Sequence, residues 1–463
     1  MAQRTLRTQG ARKAASQVDR YAELAKRIAQ HGASVPPKLQ TGDDRRLHVR
    51  TTIREDHKTR IKHRASGTQD KFDKLADSLF SFFRGTALLF YRDMVGEDGH
   101  MPTVPALGDV HPEYFGIMPD RNGAPIFGVN DFDETIYAPF TWEIKRGIVG
   151  FWIEAQEVGG LKRKRRRKIV RKFVQGYRKA MKAYAVDATE RNEAWRRDNS
   201  PEVIVRLFEQ ADERRRSWLW DDYLRENGRG FRSDDQLQPL SGEIATFQKA
   251  VDDLARSNGI DAPDRAGELK VKDVCVRHGQ GTAPLGLPRY YVLIEGRSKD
   301  ATDDIIIEFK SARRSALDGL TPPSDFGARG GKADRIKHGQ AVHLAHGDIF
   351  GAVDIGDASY MGRERAPFRD DIDLDDLSYG TWKDYAKACG AALAQAHALS
   401  DDLGEIDYDV ELSIVQVTTP KKLFVEDMVR FAELAAERTK RDQEFFKADH
   451  KLGAFFQTDK AFR

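Results

Sequence analysis

The chain has 463 residues, of which 40% are hydrophobic, 10% aromatic and 32% charged, a globular composition long enough for two or three domains or one elaborated two-lobed enzyme. Lys+Arg 76 against Asp+Glu 73 leaves a net charge of +3, so the charge balance gives no argument for nucleic acid. Two isolated cysteines, Cys275 and Cys389, exclude a disulfide framework or a zinc knuckle, and no apolar run approaches bilayer length.

The N-terminus, MAQRTLRTQGARKAASQ, is basic and lacks the apolar core of a secretory signal. It reads as a disordered basic tail, with a transit peptide as the alternative, and the chain as a cytoplasmic protein with no membrane partner. Residues 1–65 are strongly charged and form a basic, partly disordered extension. In DKFDKLADSLFSFFRGTALLFYRDM, 70–94, the residues Phe72, Leu75, Leu79, Phe82 and Phe83 fall near helical spacing and predict one buried or half-buried helix.

Next comes GDVHPEYFGIMPDRNGAPIFGVNDFDET, 108–135, which reads as strand and loop. IFGVNDF is a short apolar strand that runs into acidic residues. In an extended segment Asp131 and Asp133 point to one side, where both can face one metal that takes oxygen ligands. Asp109 follows a glycine in a loop. Phosphoryl transfer needs an orienting carboxylate, Mg²⁺ ligands and cations on the phosphates. Asp109, Asp131 and Asp133 meet the first two needs; the alternative is that these acids cap turns or pair with arginines. FTWEIKRGIVGFWIEAQEVG is a helix with an apolar face.

LKRKRRRKIVRKF, 161–173, is the densest basic run. It is either a patch for phosphate, nucleic acid or an acidic partner, or a solvated helix face with Leu161, Ile169, Val170 and Phe173 turned inward. It has no interleaved aromatics for base stacking, and the solvated face is the reading adopted. The next 60 residues are mostly helical and charged. From about 268 the texture changes to strand. ELKVKDVCVRHG and RYYVLIEG flank a turn with Gly279, Gly281 and Gly286, whose backbone N–H groups can approach phosphates or simply serve hairpin geometry. DDIIIEFK is a strand ending at Lys310, placed either over phosphates or in solvent. A Pro/Gly-rich loop, a helix around HGQAV, strand-like pieces near YMGRERAPF, and two helices complete the chain.

GDVHPEYFG, FGVNDFDET, APFTWEIKR, YYVLIEG, EFKSA, HGQAV and ALAQAHA, in that order over roughly 70–450, resemble the bacterial family catalogued as domain of unknown function 2252. Its motifs are in turn similar to those of protein-kinase-like phosphotransferases of the aminoglycoside and choline kinase type. The resemblance implies an α+β, two-lobed, protein-kinase-like fold with extra helices. It is circularly permuted, because the nucleotide parts follow the acidic motifs. The implied domains are a helical lobe with the acidic motifs, 66–265, a β-rich nucleotide lobe, 266–380, and C-terminal helices, 381–463, packing on the helical lobe.

By position, the resemblance implies that Asp109 is the catalytic-loop base, His111 the loop histidine, Asp131 the metal-binding aspartate with Asp133 close by, and Glu143 the acid bracing the loop. It likewise implies that Lys310 contacts the α/β-phosphates and that the Gly279, Gly281 and Gly286 turn covers the nucleotide. ATP and Mg²⁺ are the implied cofactors, and a small molecule or protein is the acceptor of a phosphoryl or nucleotidyl group. Three positions depart from the family pattern. Tyr114 replaces an Asn metal ligand, WEIKR replaces WDLKR, and Ser311 replaces an acid beside Lys310. A phenol is a poor Mg²⁺ ligand at neutral pH; Asp133 and Glu113 are the candidates to compensate. A binding or regulatory module without turnover is therefore the alternative function, and a nucleic-acid protein using 161–172 is a third. HLAHGDIFGAVDIGD, 343–357, also holds a His-Gly-Asp, but Val353 stands five residues after Asp348 and the segment reads as structural.

Overall fold

A computed structural model describes residues 26, 30 and 35–456, other than 64, 214–215, 227, 260–268, 279–288, 297–302, 322–330, 345–346, 348, 366–369, 376 and 403–404. The Gly279, Gly281 and Gly286 turn and Asp348 thus lie outside the described residues.

Helix α1 is Gly42–Asp56, inside the charged N-terminal stretch. It orders because Val49 and Ile53 pack with Phe72, Leu75, Phe82 and Phe446. Its Arg45 is buried between two carboxylates, donating from Nη1 and Nη2 to Asp93 (2.7 and 2.8 Å) and from Nε and Nη2 to Asp442 (2.9 and 2.6 Å). Such forked pairing leaves neither acid uncompensated in the interior.

The single helix expected over 70–94 is instead three: α2, Ala65–Asp77; α3, Leu79–Gly85; and a short turn of helix at Ala87–Arg92. The break has a local cause. Ser78 leaves helical dihedrals and caps α3 by accepting from the Ser81 N–H at 2.9 Å. Glu157 then accepts the N–H groups of Leu79 and Phe80, both at 2.8 Å. With the Ser78 hydroxyl at 2.9 Å, that carboxylate meets three donors at a helix N-terminus, a strong start signal that arrives from a distant part of the chain.

Strands β1, Thr103–Ala106, β2, Phe115–Pro119, β3, Pro125–Val129, and β4, Ile136–Pro139, frame the acidic motifs; β1 pairs with β4 and β2 with β3, all antiparallel. Helix α4, Phe140–Glu157, leaves β4 directly and is buried along nearly its whole length. It lies against α5, Arg163–Asp187. Further helices are α6, Ile244–Ser257; α7, Lys332–Val342; α8, Tyr379–Ala398; and α9, Lys421–Lys451. α5 and α8 cross at a glycine pair. A Cβ on Gly176 would lie 2.1 Å from the Lys387 carbonyl oxygen, and one on Gly390 would lie 2.1 Å from that of Phe173. Only glycine permits this approach.

The basic run lies on α5, with Ile169, Val170 and Phe173 buried as expected. Three of its arginines face α9. Arg167 pairs with Glu433 at 2.8 Å, Arg171 with Glu426 at 2.8 Å, and Arg163 also reaches Glu433.

The second body is an antiparallel sheet of β5, Leu237–Pro239, β6, Val271–Arg277, β7, Arg289–Ile294, β8, Ile305–Ser311, β9, Phe350–Ile355, and β10, Ala358–Glu364, in spatial order β5-β6-β7-β8-β10-β9. Strand periodicity assigns the faces. Val292, Ile305, Ile307 and Phe309 pack on α6, while Tyr291, Leu293 and Ile306 pack on Leu219, Tyr223 and Phe231. Glu308 and Lys310 share the face of Ile306. The fold is therefore α+β, and among the described residues no helix is long and apolar enough to cross a membrane.

One buried acid in α4 makes stability depend on pH. The Oε2 of Glu154 has no hydrogen-bond partner among the described residues, and burial, then Glu113 and Glu157, push its carboxyl from 4.5 up to about 8. The folded state thus keeps a proton that the unfolded chain loses above 4.5, and stability falls as pH rises through the window from 4.5 to about 8. Glu154→Gln should be nearly neutral at pH 5 and stabilising by roughly 1–3 kcal/mol at pH 8 to 9. Thermal unfolding of both proteins across that range checks it; an equal change at both ends would remove Glu154 as the cause.

Candidate functional site

The site forms where the loops after β1 and β3 meet the end of β8. The loop after β1 turns at Gly108, with φ +87°, and a Cβ there would stand 2.6 Å from the Cβ of Glu134. Glycine is required on both counts. Glu143 on α4 holds this loop from below. Its Oε1 accepts from the Leu107 N–H at 2.7 Å and the Gly108 N–H at 2.9 Å; its Oε2 meets His397 Nε2 of α8 at 2.7 Å. His397 Nδ1 in turn meets the Tyr177 hydroxyl at 2.7 Å. Glu143 and His397 are both fully buried, so this chain ties the loop to three helices through satisfied polar groups.

Asp109 leaves that loop with its Oδ1 on Arg146, at 3.0 Å from Nε and 2.6 Å from Nη2. Arg146 lies 3.8 Å from the centroid of Phe83 and donates to the Phe83 carbonyl at 2.9 Å. The guanidinium is therefore fixed, and fixes Asp109. Burial raises the Asp109 carboxyl above its ordinary range, against the pull of Arg146. A base so raised accepts a proton more readily. His111 is buried, caps the 3₁₀ turn Pro112–Tyr114 by accepting from the Glu113 N–H at 3.2 Å, and stays neutral because burial drives its pKa well down.

Tyr114 links the two acidic motifs. Its hydroxyl donates to the backbone carbonyl of Asp131 and lies 3.4 Å from that of Leu107. Burial, then the Asp131 charge, hold its pKa well above 10, so it stays a neutral phenol. It is a structural tie between the loops. Glu113 is engaged by Arg84, whereas Asp133 stands beside Asp131.

Asp131 and Asp133 form a turn in which Asp131 Oδ1 accepts from the Asp133 N–H at 3.3 Å. Lys310 of β8 ion-pairs with Asp133 Oδ2, and its Nζ is 3.8 Å from Asp131 Oδ1. The structure thus brings Lys310, Asp131 and Asp133 together, and the Tyr114 hydroxyl joins the loops carrying Asp109 and Asp131. Side-chain exposure is 42% for Asp131, 20% for Asp133 and 18% for Lys310, so the group opens to solvent through Asp131. Arg289 of β7 lies directly opposite Lys310 in the ladder and adds a second cation on the same face.

Four supporting residues, Arg146, Glu134, Arg335 and His397, complete the site. Arg146 was visible, since it lies three residues after Glu143 on one helix face. Glu134 accepts from Arg313 at 2.8 Å, and Arg335 of α7 donates to the backbone of Asp133 at 2.7 Å and of Arg313 at 3.0 Å. With His397, these have no sequence signal beyond their type, because their partners lie far along the chain.

Mg²⁺ needs only one or two protein carboxylates beside substrate phosphates and water. Asp131 and Asp133 meet that, although among the described residues no group of three or more His, Cys, Asp or Glu could hold a metal by itself.

Residues 63–449 match the model of a family described as Uncharacterized protein conserved in bacteria (DUF2252). No curated protein and no solved structure matches the chain.

Proposed function

We propose, for a chain that belongs to the bacterial DUF2252 family, that the acidic site binds ATP with Mg²⁺ and transfers a phosphoryl group to a hydroxyl acceptor. One observation carries this reading: Lys310, from the second half of the chain, ion-pairs with Asp133 and lies 3.8 Å from Asp131. A cation able to meet phosphates and carboxylates able to hold Mg²⁺ then fall within the span of one triphosphate, as phosphoryl transfer requires.

The order of strands supports a permuted kinase-like fold. β6 and β7 flank the glycine turn, β8 carries the lysine, and α7 follows, as a kinase lobe places its Gly-rich loop, third-strand lysine and next helix. In a kinase that helix supplies a glutamate to the lysine. α7 contains no Glu, and Lys310 pairs with Asp133 instead.

Each side chain then has a role. Asp109 orients the acceptor hydroxyl and takes its proton, with Arg146 and Glu143 fixing its position. Lys310 and Arg289 place positive charge on the phosphates. Asp131, with Asp133, would hold Mg²⁺, which when bound neutralises charge developing on the phosphates. Nucleotide binding without turnover is the second reading, favoured by Tyr114, a neutral phenol tied to the backbone where a metal-binding side chain is expected. Nucleic-acid binding through α5 is weaker, because Arg163, Arg167 and Arg171 are engaged by α9.

Product analysis after incubation with Mg-ATP and mixed hydroxyl acceptors tests the proposal. Release of ADP that depends on acceptor is the expected result. Pyrophosphate release would mean nucleotidyl transfer, and nucleotide binding with no product would establish the second reading.

A further inference from the structure

One face of the second sheet gathers buried donors that have no acceptor. β6 and β7 pair with Cys275 opposite Tyr291 and Val276 opposite Tyr290, which sets Arg277 opposite Arg289. Arg289 in turn stands opposite Lys310. Arg277, Arg289 and Lys310 therefore form one row across three strands on one face, with roughly 10 Å between the first and last backbone positions. Arg277 keeps 9% of its surface, and neither its Nε nor its Nη1 has a hydrogen-bond partner among the described residues. The Nε of Arg289 and the hydroxyl of Tyr291, its neighbour on the same face, have none there either. Glu308 meets Arg289 Nη1 at 3.1 Å and Arg363 Nε at 3.4 Å, so one carboxylate serves two guanidinium groups.

Buried polar atoms without partners are costly, and native proteins hold few of them. Their concentration on adjacent strands marks a place for an acceptor-rich guest. Two guanidinium forks and an ammonium suit phosphate oxygens. The surroundings give that place a direction. Along the strands, Leu219, Tyr223 and Phe231 close the face by packing on Tyr291, Leu293 and Ile306. The Arg277 guanidinium lies 5.8 Å from the centroid of the Tyr223 ring. Beyond Arg277, the buried Leu237 of β5 ends the row. The other end is open, since side-chain exposure rises from 14% at Arg289 to 18% at Lys310 and 42% at Asp131. A guest thus enters beside Asp131 and runs inward across the strands.

We propose that this row binds a linear phosphate chain, laid across β8, β7 and β6 with Arg277 holding its inner end. That binding goes beyond the phosphotransferase reading; only the placing of a reacting outer phosphate between Lys310 and Asp131 rests on it. Thermal-shift titration of the full chain with sodium tripolyphosphate and with orthophosphate, at constant ionic strength, tests it. Wild type should bind tripolyphosphate at least roughly tenfold more tightly than orthophosphate, and Arg277→Gln should lose most of that preference. Should Arg277→Gln fail to fold, Arg277→Lys, which keeps the cation without the fork, should lower the preference by at least roughly threefold. Mg-ATP titrated into the same proteins identifies the source of the chain. Weaker Mg-ATP binding without Arg277 assigns the row to the phosphates of a nucleotide, and unchanged Mg-ATP binding assigns it to free polyphosphate.

Equal affinities for the two anions in wild type would overturn the row. So would a preference for tripolyphosphate that survives both substitutions, and so would no stabilisation of wild type by tripolyphosphate. A preference that depends on Arg277, in a protein that releases no ADP with any acceptor, would keep the row and reject the phosphotransferase reading.

Discussion

Lys310→Met should lower ATP turnover by about 10²–10³-fold, the range found when one preorganised charge-stabilising donor is removed from a polar transition state. The fold should survive. The Lys310 pair with Asp133 is partly solvated, and pairs of that kind contribute about 1 kcal/mol or less. The loss should therefore appear in kinetics rather than in thermal unfolding. Lys310→Arg should recover little, because the guanidinium fork is bulkier than an ammonium and differently aimed. Steady-state rates for the three proteins, with circular dichroism as the check on folding, decide it. Wild-type turnover in Lys310→Met would remove the lysine from the site.

Glu143→Ala should have the largest effect on stability. The side chain accepts two backbone N–H groups and meets His397, and both residues are fully buried. Truncation strands the Leu107 and Gly108 donors and one face of His397 in the interior. Breaking such a buried polar unit costs on the order of 3–5 kcal/mol. Denaturant midpoints should fall accordingly, with an unchanged slope. Glu143→Gln keeps one oxygen for the loop and should lose less. Activity should fall with both, since the loop that carries Asp109 loses its brace. A midpoint within error of wild type for Glu143→Ala would contradict this placement.

The parts of the fold legible in the sequence were those set by local pattern. α4, α8 and α9 and the strand that carries Lys310 form where apolar residues and short β-branched runs predict them. The inward set on α5 also holds, because burial of Ile169, Val170 and Phe173 follows from helical spacing alone. What failed was a matter of distant partners. The segment 70–94 breaks at Ser78 because Glu157 supplies a carboxylate to the new N-terminus.

The site divides in the same way. Asp131 and Asp133 fall side by side as their spacing requires, but their proximity to Lys310 depends on the packing of sheet on helices. Tyr114 is the instructive residue. Sequence presented it as a ligand lost, whereas the structure gives it a job, donating to the Asp131 carbonyl and so joining the two acidic loops.

The central claim is that Lys310 and Asp131 serve one nucleotide. Calorimetric titration of a non-hydrolysable ATP analogue into wild type, with and without Mg²⁺, and into Asp131→Asn and Lys310→Met, addresses it most directly. The account predicts binding to wild type that strengthens with Mg²⁺, loses its Mg²⁺ dependence in Asp131→Asn, and weakens in Lys310→Met. No binding to wild type, or binding indifferent to Mg²⁺ and to both substitutions, would contradict it.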